Sequence, residues 1–495
     1  MIGYLILAVL AAFIAVVAVR TIRFRPKPQP AITKEEIAFD KDAAVDSLAQ
    51  LVRCKTVSYN DHSLEDEGEF QKLISLLPTL YPNVFAACTF RQLPDRALLF
   101  RWPGKQVGDP AVMMAHYDVV PVNEEKWDKP PFAGVIEDGI LWGRGTLDTK
   151  VTFNGILSAA NSLIGQGFRP EKDIYFAFSG GEEINSQGAP NIVAYFTEHG
   201  IHPAIVVDEG GAVVENVFPG VKQPCGLIGI AEKGMLNAQY RTLSAGGHAS
   251  APKPHTPVGV LAAACKRVED HPFKAHIDGP AAQMFDTLGR YSTPLYRVIF
   301  ANMWCFGWII DLLGKKSGGE MNALVRTTVA FTQMEGSSAR NVIPPEAKMV
   351  SNIRLNPADS VASALAYLEK TVNDPAVEIT SLESFEPSPV SETGCDAWEK
   401  VATAVANTWP GCEEDFKSRD ASLDLLAETF HIRSQDPFQR VKELQTGFDP
   451  SVLNFSDAYY DTLGLEKPKR GMQRKEKPLF EFPPITFDLY QEDDP

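Results

Sequence analysis

The distribution of apolar residues divides the chain into three regions. An uninterrupted apolar run covers residues 2–19 and, as a helix, would be about 27 Å long, close to the thickness of a bilayer core. Short apolar runs then alternate with amphipathic segments up to about residue 230. Beyond that point strands and helices recur in a different order. The pattern predicts a membrane segment followed by two α/β modules.

The first region predicts a single-pass membrane anchor over residues 1–23. Its first residues, Met-Ile-Gly-Tyr, carry no side-chain charge, whereas a cleaved signal peptide usually has a basic start. We therefore favour an uncleaved anchor, with a signal peptide as the alternative. The basic residues after the run favour the cytoplasmic side for the rest of the chain, but a lone anchor can be placed either way. Alternate prolines predict an extended linker over residues 24–34.

The second region has the alternation of strands and helices that is typical of an α/β sheet. Strands are predicted at 97–102, 111–115, 174–178 and 204–207, and helices at 40–53, 67–77, 152–166 and 191–199. The strands are apolar without interruption, which favours a mostly parallel sheet covered by helices on both faces. We assign residues 35–230 to the first part of a catalytic domain.

The third region predicts a second module inserted into the first. Strands at 235–243 and 348–355 and helices at 258–268 and 360–369 indicate an α+β domain over residues 231–375, after which residues 376–411 return to the first domain. The segment 296–313 is rich in aromatic residues. Because Asn302, Gly307 and Asp311 interrupt it, a buried helix or hairpin is favoured over a second membrane span.

Composition narrows the classes of partner. The chain has 495 residues and a formal net charge of −16, which argues against nucleic acid and favours small molecules or short peptides. Its seven cysteines are scattered without a C-x-x-C pair, so we expect buried thiols rather than disulfides or a thiolate metal site.

Acidic residues and one histidine lie where the predicted strands of the second region end. Carboxyl ends of parallel strands meet at one edge of a sheet, and imidazole nitrogen and carboxylate oxygen are the ligands of hydrolytic metal sites. The pattern therefore predicts a metal-dependent hydrolase. The residues concerned are His116, Asp118, Asp148, Glu182, Glu183 and Asp208.

The segments that carry these residues resemble a known family. The segments AHYDVVPV, WGRGTLDTK, FSGGEE, VVDEGG and GGHASAPKPHTPVG are similar to those of the co-catalytic zinc metallopeptidases, which include carboxypeptidase S, carboxypeptidase G, aminoacylase and carnosinase. The resemblance is strongest to the carboxypeptidase S branch of N-acyl-amino-acid and dipeptide hydrolases, and it runs from about residue 43 to residue 410. It implies a zinc-peptidase catalytic domain with an inserted lid or dimerisation domain.

The resemblance also implies a role for each candidate residue. His116 would bind one of two divalent ions, expected to be zinc, and Asp118 would orient its ring. Asp148 would bridge both ions, with Glu183 bound to one and Asp208 to the other. Glu182 would be the general base, because a carboxylate that binds a metal cannot also accept the proton.

Three further residues in the inserted module acquire roles by the same resemblance. His248 would donate to the tetrahedral oxyanion, delivered by closure of the lid or by the second subunit of a homodimer. Arg340 and Asn341 would contact the carboxylate end of the substrate.

Two departures from the family pattern affect these expectations. Thr149 stands where relatives often have a second acidic residue, after a peptide bond that is usually cis. More seriously, relatives have a C-terminal histidine ligand that has no counterpart with the expected neighbours in this sequence. His431 is the only histidine after residue 411, and residues 412–495 do not resemble the end of the family's chains. That segment is either a divergent end of the domain or a tail created by a frame change or gene rearrangement. A membrane-tethered binding protein with an incomplete metal site is therefore the alternative to an amide-bond hydrolase.

Overall fold

Two compact units make up the described part of the chain. The structure is a computed structural model and describes residues 2–26, 39–214, 218 and 220–408, with the backbone of 448–449 and 454–455. The first unit contains residues 39–210, and the second contains residues 2–26 and 211–408. The predicted domain boundaries at 230 and 375 stay predictions, since compactness alone groups residues 211–408 together.

The first unit is built on a five-stranded sheet. Its order is β1-β2-β6-β3-β7, with β6 parallel to β3 and β3 parallel to β7. The elements are α2 Lys41–Val52, α3 Glu67–Leu80, α4 Pro82–Ala87, β1 Thr89–Leu93, β2 Ala97–Trp102, β3 Ala111–His116, β4 Val135–Glu137, β5 Ile140–Trp142, α5 Lys150–Gly165, β6 Ile174–Ser179, α6 Gly188–Glu198 and β7 Ile205–Val207. All four predicted strands are present within two residues of their predicted bounds.

The sheet is mixed, which corrects the prediction of a mostly parallel one. β1 and β2 pair antiparallel, and β2 pairs antiparallel with β6. The cause is a tight turn between β1 and β2, where Asp95 and Arg96 adopt φ of 56° and 57°. Successive strands joined by so short a turn can only run antiparallel.

Helices cover both faces of this sheet, as predicted. On one face Phe176 and Phe178 pack with Phe70 of α3 and Phe153 of α5. On the other face Tyr175 packs with residues of α6. Successive side chains of a strand point to opposite faces, so β6 is buried on both sides, and its apolar run is a consequence of that position.

The second unit contains a four-stranded antiparallel sheet of order β12-β14-β10-β15. Helices α7 and α12 pack with β10 and β14 in one core. The elements are α1 Ile2–Arg23, β8 Ala212–Val214, β9 Cys225–Leu227, β10 Gly234–Leu243, β11 Gly247–His248, α7 Pro257–Asp270, α8 Gly279–Gly289, α9 Pro294–Ala301, α10 Met303–Ser317, α11 Gly319–Val325, β12 Thr328–Glu335, β13 Val342–Ile343, β14 Glu346–Leu355, α12 Val361–Val372, β15 Glu378–Phe385 and α13 Asp396–Thr408. Further along the chain, in a part grouped with the first unit, β16 Phe448–Asp449 pairs with β17 Asn454–Phe455.

Apolar helices form another part of the second unit. Among the described residues, α1 is long and apolar enough to cross a membrane, and α9 and α10 form a second apolar pair bent by 110°. The bend lies at Asn302. The segment 296–313 therefore consists of two helices with a bend between them, called here the α9–α10 hairpin, and the exposure of Trp304 and Trp308 corrects the prediction of a buried segment.

Candidate metal centre

His116 is the last residue of β3 and lies beside Ser179 of the neighbouring strand. Its ring is buried. Nδ1 lies 3.0 Å from the backbone oxygen of Asp118, and Nε2 lies 2.9 Å from Oδ1 of Asp148. An Nδ1–H donated to the Asp118 carbonyl leaves the lone pair of Nε2 directed at the carboxylates, which is the tautomer that a metal ligand needs.

Several carboxylates surround Nε2 of His116. Besides Asp148, Oε1 of Glu209 lies 3.4 Å away and Oε2 of Glu182 lies 3.9 Å away. Two sets of potential donor atoms each fall within 4.8 Å of one another: His116, Asp148 and Glu183, and His116, Glu182 and Glu209. Both sets belong to the first unit, and together they contain five side chains.

The electrostatics of this cluster favour a cation. Burial, and then the carboxylate of Asp148, raise the pKa of Glu183 to about 9. Burial alone would lower the pKa of His116, but hydrogen bonds to Asp118, Asp148 and Glu209 raise it well above its usual value. Both shifts are those expected where carboxylates are crowded. Imidazole and carboxylate donors within a few ångströms fit zinc or a similar divalent ion.

Asp118 has a wider role than the predicted orientation of His116. Its Oδ1 is 3.4 Å from Nδ1 of His116, farther than its own backbone oxygen. Its carboxylate accepts from the backbone N–H of Glu182 at 3.0 Å, from that of Glu183 at 3.2 Å, and from the Ser58 hydroxyl at 2.7 Å. The fully buried Asp118 therefore fixes the loop that carries Glu182 and Glu183.

Asp148 lies in the loop before α5. The Asp148–Thr149 peptide bond is cis, as the family resemblance implies. The next residue, Lys150, is fully buried, and its ammonium donates to the carbonyl oxygens of Leu51 at 3.1 Å and Cys54 at 2.6 Å. Burial lowers the pKa of Lys150 to about 8. These bonds hold the start of α5, and with it Asp148, against the end of α2.

Asp208 and Glu209 follow β7. The Glu209 carboxylate is the one that approaches His116, whereas Oδ1 of Asp208 accepts from the backbone N–H of Glu209 at 2.9 Å. Sequence reasoning selected Asp208 and did not assign Glu209. The adjacency of two carboxylates at the strand end was the signal that either could point into the cluster.

The remaining predicted residues lie in the second unit, close to one another. His248 of β11 is paired with Val342 of β13, and the backbone N–H of Ala249 donates to the backbone carbonyl oxygen of Asn341 at 2.9 Å. This pairing brings Arg340 and Asn341 next to the His248 turn. His248 is exposed, and its Nδ1 lies 2.7 Å from the Ser250 hydroxyl. His431 and the sought C-terminal histidine ligand lie outside the described residues.

Comparison with known proteins decides the family. The model of peptidase family M20/M25/M40 matches residues 112–424, more than half of the chain. The chain belongs to this family. It is therefore an enzyme of a peptidase family, and the resemblance seen in its sequence is confirmed.

Individual relatives agree with this assignment. The chain is 33% identical to a probable carboxypeptidase S-like 2 of Dictyostelium discoideum over 83% of its own length and 78% of the relative. It is 35% identical to the N-fatty-acyl-amino acid synthase/hydrolase PM20D1 of Xenopus tropicalis, covering 71% of this chain and 69% of that one. Carboxypeptidase S of Saccharomyces cerevisiae is 26% identical, covering 74% and 71%.

Solved structures share the fold. The M20 family metallo-carboxypeptidase Sso-CP2 of Sulfolobus solfataricus matches with a TM-score of 0.54 and 16% identity, over 80% of this chain and 89% of that one. Human carnosine dipeptidase 1 matches with a TM-score of 0.52 and 15% identity, over 79% and 87%. At this identity the likeness describes the fold alone, and it agrees with a mixed α/β sheet covered by helices.

Proposed function

We propose that this chain is a metal-dependent amidohydrolase that cleaves the amide bond of N-acyl amino acids or small peptides. The observation that carries the proposal is the buried imidazole of His116 with the carboxylates of Asp148, Glu182 and Glu209 within 4 Å of Nε2. The names of two relatives, a carboxypeptidase S and an N-fatty-acyl-amino acid synthase/hydrolase, support this substrate class.

Two divalent ions, expected to be zinc, would be bound by His116, Asp148, Glu183 and Asp208. Asp148 would be shared between them. Such ions supply an acidified water and polarise the scissile carbonyl when bound. Glu209 is the structural alternative to Asp208. Asp118 keeps the ring of His116 and the loop of Glu182 and Glu183 in place.

Glu182 is the proposed general base. Its side chain is about one-third exposed, whereas those of Asp148 and Glu209 are nearly buried. A carboxylate that stays open to solvent beside the ion site can take a proton from water and pass it to the leaving nitrogen. Two adjacent glutamates would thus divide metal binding and proton transfer between them.

The second unit supplies the proposed substrate contacts. His248 would donate to the oxyanion, and Arg340 and Asn341 would hold the substrate carboxylate. Their closeness to one another across the β11–β13 pair supports a common role. His248 would reach the substrate either by closure of a lid or from a second copy of this chain in a homodimer.

A membrane location through α1 is part of the proposal. The helix is apolar along residues 2–19 and ends in basic residues, as single-pass anchors do. The side of the membrane on which the enzyme lies follows only from this basic flank, which favours the cytoplasm.

The decisive experiment replaces Glu182 by glutamine in the full chain. Loss of the base should lower the rate of N-acyl-amino-acid hydrolysis about 10²–10⁴-fold and leave the metal content unchanged, because the amide keeps the size of the carboxylate. Glu198→Gln, at the exposed end of α6, is the matched control and should keep full activity.

The competing function is a membrane-tethered binding protein with an incomplete metal site. The observation in its favour is that His431, the only histidine after residue 411, lacks the neighbours expected of the last histidine ligand. If the purified protein holds one ion or none and Glu182→Gln changes nothing, this alternative replaces the hydrolase.

A further inference from the structure

The C-terminal half of α1 is packed against the α9–α10 hairpin of the same unit. Arg20 Nε donates to the carbonyl oxygen of Ala301 at 3.1 Å. The Asn302 amide donates to the Thr21 hydroxyl at 3.1 Å and to the carbonyl oxygen of Val17 at 3.4 Å. Phe24, directly after the helix, is buried in the core of the second unit. The bend of the hairpin is thus fixed beside the last two turns of α1.

A ring contact sets how far the hairpin reaches along α1. Phe13 and Trp304 meet edge to face, with ring centroids 5.8 Å apart. Phe13 lies six residues before Val19, where the apolar run ends, so at 1.5 Å per residue Trp304 lies about 9 Å inside that run. If α1 crosses a bilayer, Trp304 is at the depth of the acyl chains close to the headgroups.

The face of α10 that continues from this contact is apolar and largely exposed within the part of the chain that the structure describes. Trp304, Trp308 and Leu312 repeat every fourth residue, and they are 58%, 64% and 54% exposed. Spacing of four places them on one side of the helix. Lys315 and Lys316 follow at the end of the same helix. Tryptophans beside lysines are the residues enriched where a helix lies in a membrane interface.

We propose that the α9–α10 hairpin is a second membrane contact, which inserts Trp304, Trp308 and Leu312 into the lipid leaflet crossed by the C-terminal half of α1. The proposal rests on the proposed anchoring by α1. Lipid is the occupant of this face because the face is continuous with α1, through Phe13, at a depth where a protein partner would have to displace acyl chains. The second unit is thereby held against the membrane surface.

Fluorescence quenching by brominated lipid tests the depth of these tryptophans. The full chain is reconstituted into phosphatidylcholine vesicles with and without bromine on the upper acyl chain, and the double variant Trp304→Phe/Trp308→Phe is measured alongside. The difference between the two proteins is the signal of the hairpin. We expect this signal to be strongly quenched by bromine and that of the remaining tryptophans to be unaffected.

Two reporter variants in the double-phenylalanine background separate the possible failures. Leu7→Trp reports on α1, and Leu382→Trp, at a comparably exposed position of β15, is the control that should stay unquenched. Quenching at Leu7→Trp without quenching at Trp304 and Trp308 would overturn the hairpin proposal and leave the anchor intact. Absence of quenching at Leu7→Trp would overturn the anchor itself.

Discussion

Asp118 is the residue on which the geometry of the candidate metal centre most depends. Its carboxylate accepts hydrogen bonds from the backbone N–H groups of Glu182 and Glu183 and from the hydroxyl of Ser58. In Asp118→Asn one accepting oxygen becomes an NH₂ donor that faces another donor, so the loop must shift. We expect the affinity for zinc to fall about 10–100-fold, as measured by competition with a chelating dye.

Ser58→Ala is the matched control for that change. It removes the hydroxyl donor and keeps both bonds from the loop of Glu182 and Glu183 to Asp118. We expect a smaller loss of affinity than for Asp118→Asn. Equal losses would mean that the carboxylate does not act through this loop.

Amide variants can distinguish the roles of the neighbouring residues Asp208 and Glu209 in binding metal. The family resemblance assigns the ligand role to Asp208, so Asp208→Asn should lower the metal content by one ion per chain while Glu209→Gln keeps both. Metal analysis of the dialysed proteins measures this. The reverse outcome would transfer the role to Glu209, whose carboxylate lies 3.4 Å from His116 Nε2.

At the scale of the residue, the sequence predicts positions better than contacts. His116, Glu182 and Asp208 were found because an apolar run ends just before each of them. Ser58 and Glu209 were missed because no periodicity distinguishes a hydroxyl that donates to a buried carboxylate, or one of two adjacent acids. Such assignments depend on which way a side chain turns at the end of a strand.

Among the elements, β2, β3 and β6 were predictable as apolar runs because these strands are largely buried on both faces. The antiparallel β1 was not, because its turn is made by Asp95 and Arg96, whereas Asn-Gly or Asp-Gly usually marks such a turn. A buried helix or hairpin is predicted for residues 296–313 because Asn302, Gly307 and Asp311 interrupt the apolar segment. Trp304 and Trp308 are instead more than half exposed among the described residues.

The buried Lys233, which links the start of β10 to the end of α11, should make stability depend on pH. Lys233, directly before β10, is buried and donates to the carbonyl oxygens of Ala323 at 2.5 Å and Arg326 at 3.0 Å. Burial, and then the charge of Arg354, lower the pKa of Lys233 from 10.5 to about 7. Between these values the unfolded chain binds more protons than the folded one. The free energy of unfolding should therefore rise with pH in this window, by up to about 1.4 kcal/mol per unit.

Thermal unfolding of Lys233→Met measures this contribution. Below pH 7 the lysine adds no pH dependence, and from pH 7 to 10.5 the wild type should gain stability relative to the variant. Lys370→Met, an exposed position on α12, should keep the wild-type slope. Parallel curves for wild type and Lys233→Met would show that the buried amine does not titrate in this range.

For the whole molecule, metal removal should loosen the first unit selectively. Asp148, Glu182, Glu183 and Glu209 crowd around one imidazole, and a divalent ion offsets their repulsion. After chelation we expect faster hydrogen exchange in β3, β6 and the start of α5, restored by zinc, with β10 and β14 unchanged. Uniform acceleration in both units would contradict a site confined to the first.

The fate of the N-terminus distinguishes an anchor from a signal peptide. We expect the mature chain to retain residues 2–23 and to stay with membranes after alkaline carbonate extraction, while detergent releases it. Intact-mass analysis of the purified protein checks the first point. A chain that begins after residue 23 would establish cleavage instead.

The packing of α1 has a consequence for release of the enzyme by proteases. A cut within residues 27–38 would break the chain between the membrane helix and the rest of the protein. Phe24 would still lie in the core of the second unit beneath the guanidinium of Arg290, which also donates to the carbonyl oxygen of Arg25 at 3.1 Å. If α1 is the proposed anchor, a nicked enzyme would thus remain on the membrane through non-covalent contacts, and shedding would require that these contacts be lost as well.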